Sequence, residues 1–170
     1  MSLDDLGYKL VINEDDKLLN GEAAYSVGKF RLGTTDMGGA LMDQEHGQLL
    51  GEIIGGGSLP KLEELDLGWN ESLGGGVVPI MAGLEGGGCR HLKGLDIAGV
   101  GMGPQGGHAL ARALASGNLS CLEDINLGPN EMVGDHAVAE VIKGLRECHQ
   151  LRELHVGHTG MGVMAGQALV

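Results

Sequence analysis

Aromatic side chains are scarce in this sequence: Trp69, Tyr8, Tyr25 and Phe30 are the only four among 170 residues. Ordinary globular cores gain much of their buried area from large aromatic rings. The core here must therefore consist of Leu, Ile, Val, Met and Ala. Such a core is narrow, and it suits a protein built from stacked repeats in which each unit contacts only its neighbours.

Long apolar runs and signal-like segments are also missing. No stretch approaches the roughly 18 uncharged apolar residues that a bilayer-spanning helix needs. The start, Met1–Asp5, lacks the basic and apolar regions of a signal peptide. The three cysteines, Cys89, Cys121 and Cys148, have no framework spacing, which favours a reducing compartment. We therefore predict a cytoplasmic protein and leave the organelle open.

Basic residues are few as well. The chain has 11 Lys and Arg against 23 Asp and Glu, which gives a formal charge of −12. Nucleic acids and anionic membranes reward clustered Lys and Arg, so neither is an expected partner. An acidic surface favours a basic partner instead. We expect a protein partner of that kind.

The sequence is rich, by contrast, in copies of one nine-residue pattern. In Leu122–Asn130, apolar residues occupy positions 1, 4 and 6, and an Asn occupies position 9. Equivalent stretches begin at Leu62, Leu92 and Leu151, so the intervals are 30, 30 and 29 residues. An earlier copy fills the same four positions with Val27, Phe30, Leu32 and Thr35. Repetition at such a period predicts a stacked repeat protein.

Each copy is typical of a short strand followed by a helix. Alternation within the strand turns positions 4 and 6 inward and positions 3 and 5 outward. The segments His108–Ala115 and His136–Ile142 align residue for residue with apolar pairs every four residues, and Leu49–Ile54 shows similar spacing. We therefore expect an α/β fold with helices between parallel strands. The inward residues should form one buried column: Leu65, Leu67, Leu95, Ile97, Ile125, Leu127, Leu154 and Val156.

Position 9 has a separate structural role. An Asn there can bond backbone groups of the turn that leaves the strand, which would otherwise be buried unpaired. Asn70 and Asn130 retain it, Thr159 can substitute in part, and Val100 cannot.

The spacing L-x-x-L-x-L-x-x-N, repeated near 29 residues with a helix, resembles the leucine-rich repeat family. Within it, the ribonuclease-inhibitor-like long-repeat subclass is the most similar, since that subclass carries an aliphatic residue two places after position 9, as here at Met37, Met102, Met132 and Met161. The resemblance covers residues 27–170, about five repeats with the last one incomplete. Residues 1–26 are expected to form an irregular N-terminal cap in which Leu10 and Ile12 belong to a strand.

The resemblance implies a curved solenoid with a parallel sheet on its concave face and helices on its convex face. It also implies that the concave face binds proteins. Because the sequence stops inside the last predicted helix, we expect an open C-terminal end. Either the chain is part of a longer array or another subunit contacts that end.

The outward positions 3 and 5 of the strands, here called the outer strand row, are the main candidate binding residues. The first copy contributes the basic pair Lys29 and Arg31. The later copies are largely acidic, and with Trp69 at position 8 on the rim they give the predicted contact set: Glu64, Asp66, Trp69, Asp96, Asp124, Asn126, Glu153 and His155. The alternatives are a solvated acidic face without a partner and a Trp69 that packs on a neighbouring turn.

A nucleotide site is the less favoured interpretation of one motif. Gly101-Met-Gly103-Pro-Gln-Gly106 matches G-x-G-x-x-G between a strand and a helix, and Asp124 follows eighteen residues later. The repeat alone explains these features, and Asp124 lies at the start of its strand rather than at the end where a ribose would bind.

Metal sites are not expected either. Cys89 and Cys148 lie two repeats apart, about 10 Å at the spacing of parallel strands, whereas metal ligands converge within about 2.3 Å of the ion. We interpret the cysteines as buried structural residues. His108 and His136 should be neighbours on the helical side, as surface or packing residues, and His155 and His158 lie beside Asn126 without a favoured ligand role.

The prediction is thus a non-catalytic protein-interaction module with no cofactor, metal or catalytic residue. One alternative is a structural subunit of a large assembly. A second, less favoured alternative is a nucleotide-dependent enzyme that uses the glycine-rich turn after Ile97.

Overall fold

The computed structural model describes residues 42–170 with their side chains and the backbone of three earlier strands. These strands are β1 (Val11–Ile12), β2 (Lys17–Leu18) and β3 (Lys29–Arg31). β1 and β2 pair antiparallel in a sheet of their own. Ile12 therefore lies in a two-stranded antiparallel pair apart from the parallel sheet, and Leu10, like Val27, Leu32, Thr35 and Met37, lies outside the described residues.

Five three-residue strands form a parallel sheet in the order β3-β4-β5-β6-β7. The later strands are β4 (Glu64–Asp66), β5 (Gly94–Asp96), β6 (Asp124–Asn126) and β7 (Glu153–His155). The register pairs equivalent positions of consecutive copies throughout, so Leu65, Leu95, Ile125 and Leu154 are successive partners. Residues about thirty apart in sequence thereby become neighbours at roughly 4.8 Å.

One helix follows each strand from β4 onward, and one precedes β4. They are α1 (Gln44–Gly55), α2 (Val77–Glu85), α3 (Pro104–Ala115), α4 (Asp135–Gly144) and α5 (Val163–Ala168). Each helix packs against the next one in the chain. The helical segments predicted from Leu49–Ile54, His108–Ala115 and His136–Ile142 are confirmed as α1, α3 and α4.

The core is the predicted aliphatic column with helix residues packed over it. Leu65, Leu67, Leu95, Ile97, Ile125 and Leu127 are at most 2% exposed. The prediction is wrong for Leu154 and Val156, which are only partly buried. They belong to the last described unit, where β7 is an edge strand and α5 has only six residues to cover them.

Buried position-9 side chains hold the turns after the strands. Asn70 donates to the Leu67 carbonyl at 2.8 Å, and Asn130 donates to the Leu127 carbonyl at 2.6 Å. Thr159 substitutes in part, as predicted, with one bond to the Val156 carbonyl at 2.7 Å. Val100 is fully buried and contributes packing alone from its side chain.

Glycines let neighbouring helices approach until their backbones touch. A Cβ on Gly51 of α1 would lie 2.5 Å from the Pro79 carbonyl oxygen of α2, and one on Gly83 of α2 would lie 2.8 Å from the Gly51 carbonyl oxygen. A Cβ on Gly144 would lie 2.7 Å from the Ala111 carbonyl oxygen. Glycine at these positions therefore permits a helix separation that a larger residue would forbid. In the part of the chain that the structure describes, no helix has the length and apolar character that crossing a bilayer requires.

Candidate protein-binding face

The outer strand row lies on the sheet face opposite the helices, and its register is the predicted one. Position 3 runs Glu64, Gly94, Asp124 and Glu153 across the sheet, while position 5 runs Asp66, Asp96, Asn126 and His155. The strands alternate as expected, with a buried position 4 between two more accessible residues in β4 and β6. The row thus brings seven of the eight predicted contact residues onto one face. For Lys29 and Arg31, the structure describes only the backbone register with Glu64 and Asp66.

The position-5 side chains of β4, β5 and β6 also bond the turn that follows the strand. Asp66 accepts the Gly68 N–H at 3.1 Å, Asp96 accepts the Ala98 N–H at 2.9 Å, and Asn126 accepts the Gly128 N–H at 3.3 Å. The Asn126 amide donates in addition to Asp96 at 3.1 Å. These carboxylates are therefore oriented by the backbone, a role that the sequence pattern alone did not reveal. An Asp or Asn at position 5 fits the turn because its short side chain reaches the backbone two residues on.

The negative charge of the row is concentrated around Gly94. A shallow depression of about 280 Å³ lies over β4 and β5 and is lined by Glu64, Asp66, Asp96 and Asp124. It exists because Gly94 has no side chain: a Cβ there would lie 3.3 Å from an Asp124 carboxylate oxygen and 3.5 Å from Glu64 Cγ. We call this depression the Gly94 notch.

The pKa of Asp124 reflects both its partial burial and the negative charge concentrated in the notch. Partial burial raises the pKa of its carboxyl first, and the surrounding Glu153, Glu64, Glu123 and Asp96 raise it further. Like charges that disfavour ionisation in this way would be relieved by a cation. At position 2 the acidic residues are neutralised by basic neighbours, because Lys93 pairs with Glu63 at 3.0 Å and Arg152 pairs with Glu123 at 3.4 Å.

Trp69 lies in the turn after β4 rather than on the strand face. Its ring packs over Gly99 of the next unit, where a Cβ would come within 2.7 Å of ring atom Cε3. Packing on the neighbouring turn is therefore part of its role, yet the side chain remains 48% exposed. The backbone of Trp69 adopts a positive φ of 62°, as do Gly99 at 64° and His158 at 56° at the equivalent position 8.

A second depression adjoins Trp69. It has a volume of about 300 Å³, and its lining includes Trp69, Met132, Pro129, Glu71 and Glu131. Met132 is 75% exposed, whereas Met102 at the equivalent position is buried. In the Met132 unit the next residue, Val133, enters the core instead. We call this depression the Trp69 groove.

Two glycines of the G-x-G-x-x-G motif have packing roles, whereas a Cβ on the third, Gly103, would meet no atom within 4 Å. A Cβ on Gly101 would collide with the Glu71 carbonyl oxygen, and one on Gly106 would collide with the Met102 side chain. Asp124 lies in the outer strand row, in register with Gly94 and Glu153. Gly101 is thus required by a contact between units and Gly106 by a contact within its own unit.

Two of the three cysteines are buried, as predicted, and the third is half-buried. Burial raises the pKa of the Cys89 thiol to about 12, and the same cause raises that of Cys148 to about 11, with Glu147 adding to it. The Cys89 thiol lies 3.6 Å from the Leu59 carbonyl oxygen, to which it donates. All three are free, Cys121 included.

One repeat of the chain is similar to a known protein family. Residues 58–76 match the Leucine Rich repeat family, and they include β4 with Leu62, Leu65, Leu67 and Asn70 at positions 1, 4, 6 and 9. This match supports a leucine-rich repeat protein. Leucine-rich repeats generally mediate protein–protein interaction, and the family is typically non-enzymatic. A search of curated proteins finds no match to the chain.

Proposed function

We propose that this chain is a non-catalytic leucine-rich repeat solenoid of the ribonuclease-inhibitor-like kind, which binds a basic protein through the outer strand row. The observation that carries the proposal is the Gly94 notch. Three aspartates and a glutamate converge there around a residue with no side chain. The opening suits the ammonium or guanidinium group of a partner's Lys or Arg, which would offset the partial burial and the neighbouring carboxylates that together raise the pKa of Asp124.

The Trp69 groove supports a second contact with the same partner. Its apolar floor, formed by Trp69 and Met132, is flanked by Glu71 and Glu131. An aliphatic or long basic side chain would bury its stem against the ring and place its charge near these glutamates. Desolvated aromatic anchors contribute most to the lifetime of a complex, whereas exposed charges contribute mainly to its rate of formation.

The variant Gly94→Lys tests the notch directly. Its ammonium would occupy the space that the partner's cation should fill, and its Cβ, at 3.3 Å from an Asp124 carboxylate oxygen, requires that side chain to shift by a few tenths of an ångström. Ala82→Lys on the exposed side of α2 adds the same charge far from the sheet face and serves as the matched control.

The experiment is a selection of random displayed peptides on the wild-type chain and on both variants. We expect the wild type and Ala82→Lys to select Lys- and Arg-rich peptides whose binding weakens as salt rises. Gly94→Lys should lose that selection. Peptides without a basic bias, or basic peptides retained by Gly94→Lys, would contradict the proposal.

Once a natural partner has been identified by cross-linking in native extract, binding kinetics separate the two contacts. Asp66→Asn and Asp96→Asn keep an oxygen for the Gly68 and Ala98 amides, so they remove charge without removing the turn bonds. They should slow association in a salt-dependent way. Trp69→Ala should instead raise the dissociation rate by a factor that salt does not change.

The alternative role is that of a structural subunit, and the exposed apolar residues of the last unit favour it. Val163, Met164 and Leu169 are each at least half exposed. If they contact another subunit, the isolated chain should self-associate, and Val163→Lys with Met164→Lys should restore a monomer in size-exclusion chromatography with light scattering. A monomeric wild type at high micromolar concentration would contradict this role.

A further inference from the structure

Helices α3 and α4 bring two histidines and a glutamate together on the side away from the outer strand row. His108 Nδ1 lies 2.6 Å from Glu140 Oε2, and His136 Nδ1 lies 3.8 Å from Glu140 Oε1. The two imidazole rings meet edge to face with centroids 5.5 Å apart. Potential ligand atoms of the three residues all lie within 4.8 Å of one another. The sequence predicted His108 and His136 as neighbours but did not reveal that Glu140 completes the group.

These residues have the composition of a transition-metal site. Imidazole nitrogen and carboxylate oxygen are both good zinc ligands, and a zinc ion with three protein ligands takes a water in the fourth position. At Zn–N and Zn–O lengths of about 2.0–2.2 Å, tetrahedral ligand atoms lie about 3.3 Å apart. The two histidines lie 2.6 and 3.8 Å from different oxygens of Glu140, and the three ligand atoms lie within 4.8 Å of one another, so a shift of about 1–1.5 Å in the side chains would bring them to that spacing.

The side chains can make the required adjustment. The side chain of His108 is 38% exposed, that of Glu140 is 42% exposed and that of His136 is 64% exposed, so each can turn about its side-chain torsions and an ion can enter from solvent. His136 and Glu140 are one turn apart on α4 and provide two ligands from a single rigid element. His108 provides the third from the neighbouring helix.

We propose that His108, His136 and Glu140 form a zinc-binding site that links α3 to α4. The ion replaces the hydrogen bond between His108 and Glu140, and the proton of that bond passes to solvent. Two of the other charged groups on these helices pair with residues outside the site, and a third places positive charge near it. Arg112 of α3 pairs with Glu85 of α2, Asp135 accepts amides of α5, and Lys143 acts on Glu140 as a nearby cation.

Because the ligands come from two units, bound zinc should tie those units together. A ligand that binds only the folded chain stabilises it by mass action. Added Zn²⁺ should therefore raise the melting temperature of the wild-type chain, and removing any one ligand should reduce that rise.

The test is a calorimetric titration of the full chain with Zn²⁺ alone. The ligand variants are His108→Ala, His136→Ala and Glu140→Gln. The controls are His149→Ala, which removes an exposed histidine outside the proposed site, and Cys121→Ser, which removes the most accessible of the three thiols. We expect one zinc per chain, with binding at least about tenfold weaker in each ligand variant, since even outer-shell partners of a metal are worth 10–100-fold. The controls should bind as the wild type does.

A second measurement keeps the result independent of folding defects. In ¹⁵N-imidazole spectra of the wild-type chain, Zn²⁺ should shift the resonances of His108 and His136 together and leave those of His46 and His149 in place. Unchanged affinity in His108→Ala or His136→Ala would overturn the site. So would loss of binding in Cys121→Ser, which would assign the zinc to a thiol.

Discussion

The side-chain amide of Asn130 donates to the carbonyl of Ile97, in the preceding unit, at 2.7 Å. Val100, the position-9 residue of that unit, has no donor with which to reach this carbonyl. Asn130 therefore serves the turn of its own unit and that of its neighbour. Its oxygen also accepts the Met102 N–H at 3.0 Å, so one side chain satisfies three backbone groups.

We expect Asn130→Ala to destabilise the chain by about 2–4 kcal/mol, because several buried backbone groups lose their partner at about 1–3 kcal/mol each. Asn130→Asp keeps an acceptor for Met102 but loses both donations, and it should cost at least as much. Asn118→Ala is the control: its half-buried amide makes one bond to the Glu85 carbonyl, worth about 1 kcal/mol. Urea unfolding of the three variants provides the comparison, and equal losses at positions 118 and 130 would refute the shared role.

The aliphatic column should be unequally sensitive along its length. Leu127→Ala should cost about 2–5 kcal/mol, as truncation in a filled core does. Leu154→Ala should cost clearly less, about 1–2 kcal/mol, because Leu154 is only partly buried in the edge strand. Chemical denaturation measures both. Similar losses at the two positions would show that the last unit is packed as well as the central ones.

The thiols should react in a fixed order. Cys89 and Cys148 are buried with raised pKa values of about 12 and 11, whereas Cys121 is half-buried. At pH 8 a thiol-specific reagent should modify Cys121 first and the other two at least about tenfold more slowly, since the thiolate is the reactive form. Mass spectrometry of digests follows each site. Denaturant should equalise the rates, and equal rates without it would contradict the burial.

Asp135 should make the start of α5 sensitive to acid. Its carboxylate accepts the backbone N–H groups of Gly162, Met164 and Ala165 at 2.8–2.9 Å, and these bonds lower its pKa. Because the folded value is depressed, the stabilisation is complete above the ordinary aspartate pKa of about 3.9 and is lost as pH falls through the lower folded value. The three amide resonances should shift together with a midpoint below about pH 3.9. Asp135→Asn should abolish that common shift. A midpoint above about pH 3.9 would mean that folding raises the pKa of Asp135, contrary to the prediction.

The repeat pattern predicted the fold with single-residue accuracy wherever the alternation of the strands and the repeat period determine it. The strand register, the column from Leu65 to Leu127 and the helix over His108–Ala115 all follow from spacing, because a parallel in-register stack allows only one alignment of equal units. The exposure of Leu154 and Val156 did not follow, since it depends on how much of α5 covers them.

The candidate site was predictable in part. The face of Asp66 and Asp96 follows from the alternation of the strand, and the binding role of the outer strand row stays a proposal. The notch at Gly94 depends on which neighbour lacks a side chain, which appears only once the strands are aligned. The reach of Glu140 to His108 depends on how closely α3 and α4 approach, and no pattern within one unit sets that distance.

The backbone contacts between helices also restrict how the chain can be rearranged. Gly83 of α2 meets the Gly51 carbonyl of α1 and Gly144 of α4 meets the Ala111 carbonyl of α3, so these two helices carry a glycine where the preceding helix comes closest. A permuted chain, with one unit moved to another place in the order, would set side chains against those carbonyls. The units are therefore not interchangeable modules, even though their strands are nearly identical in pattern.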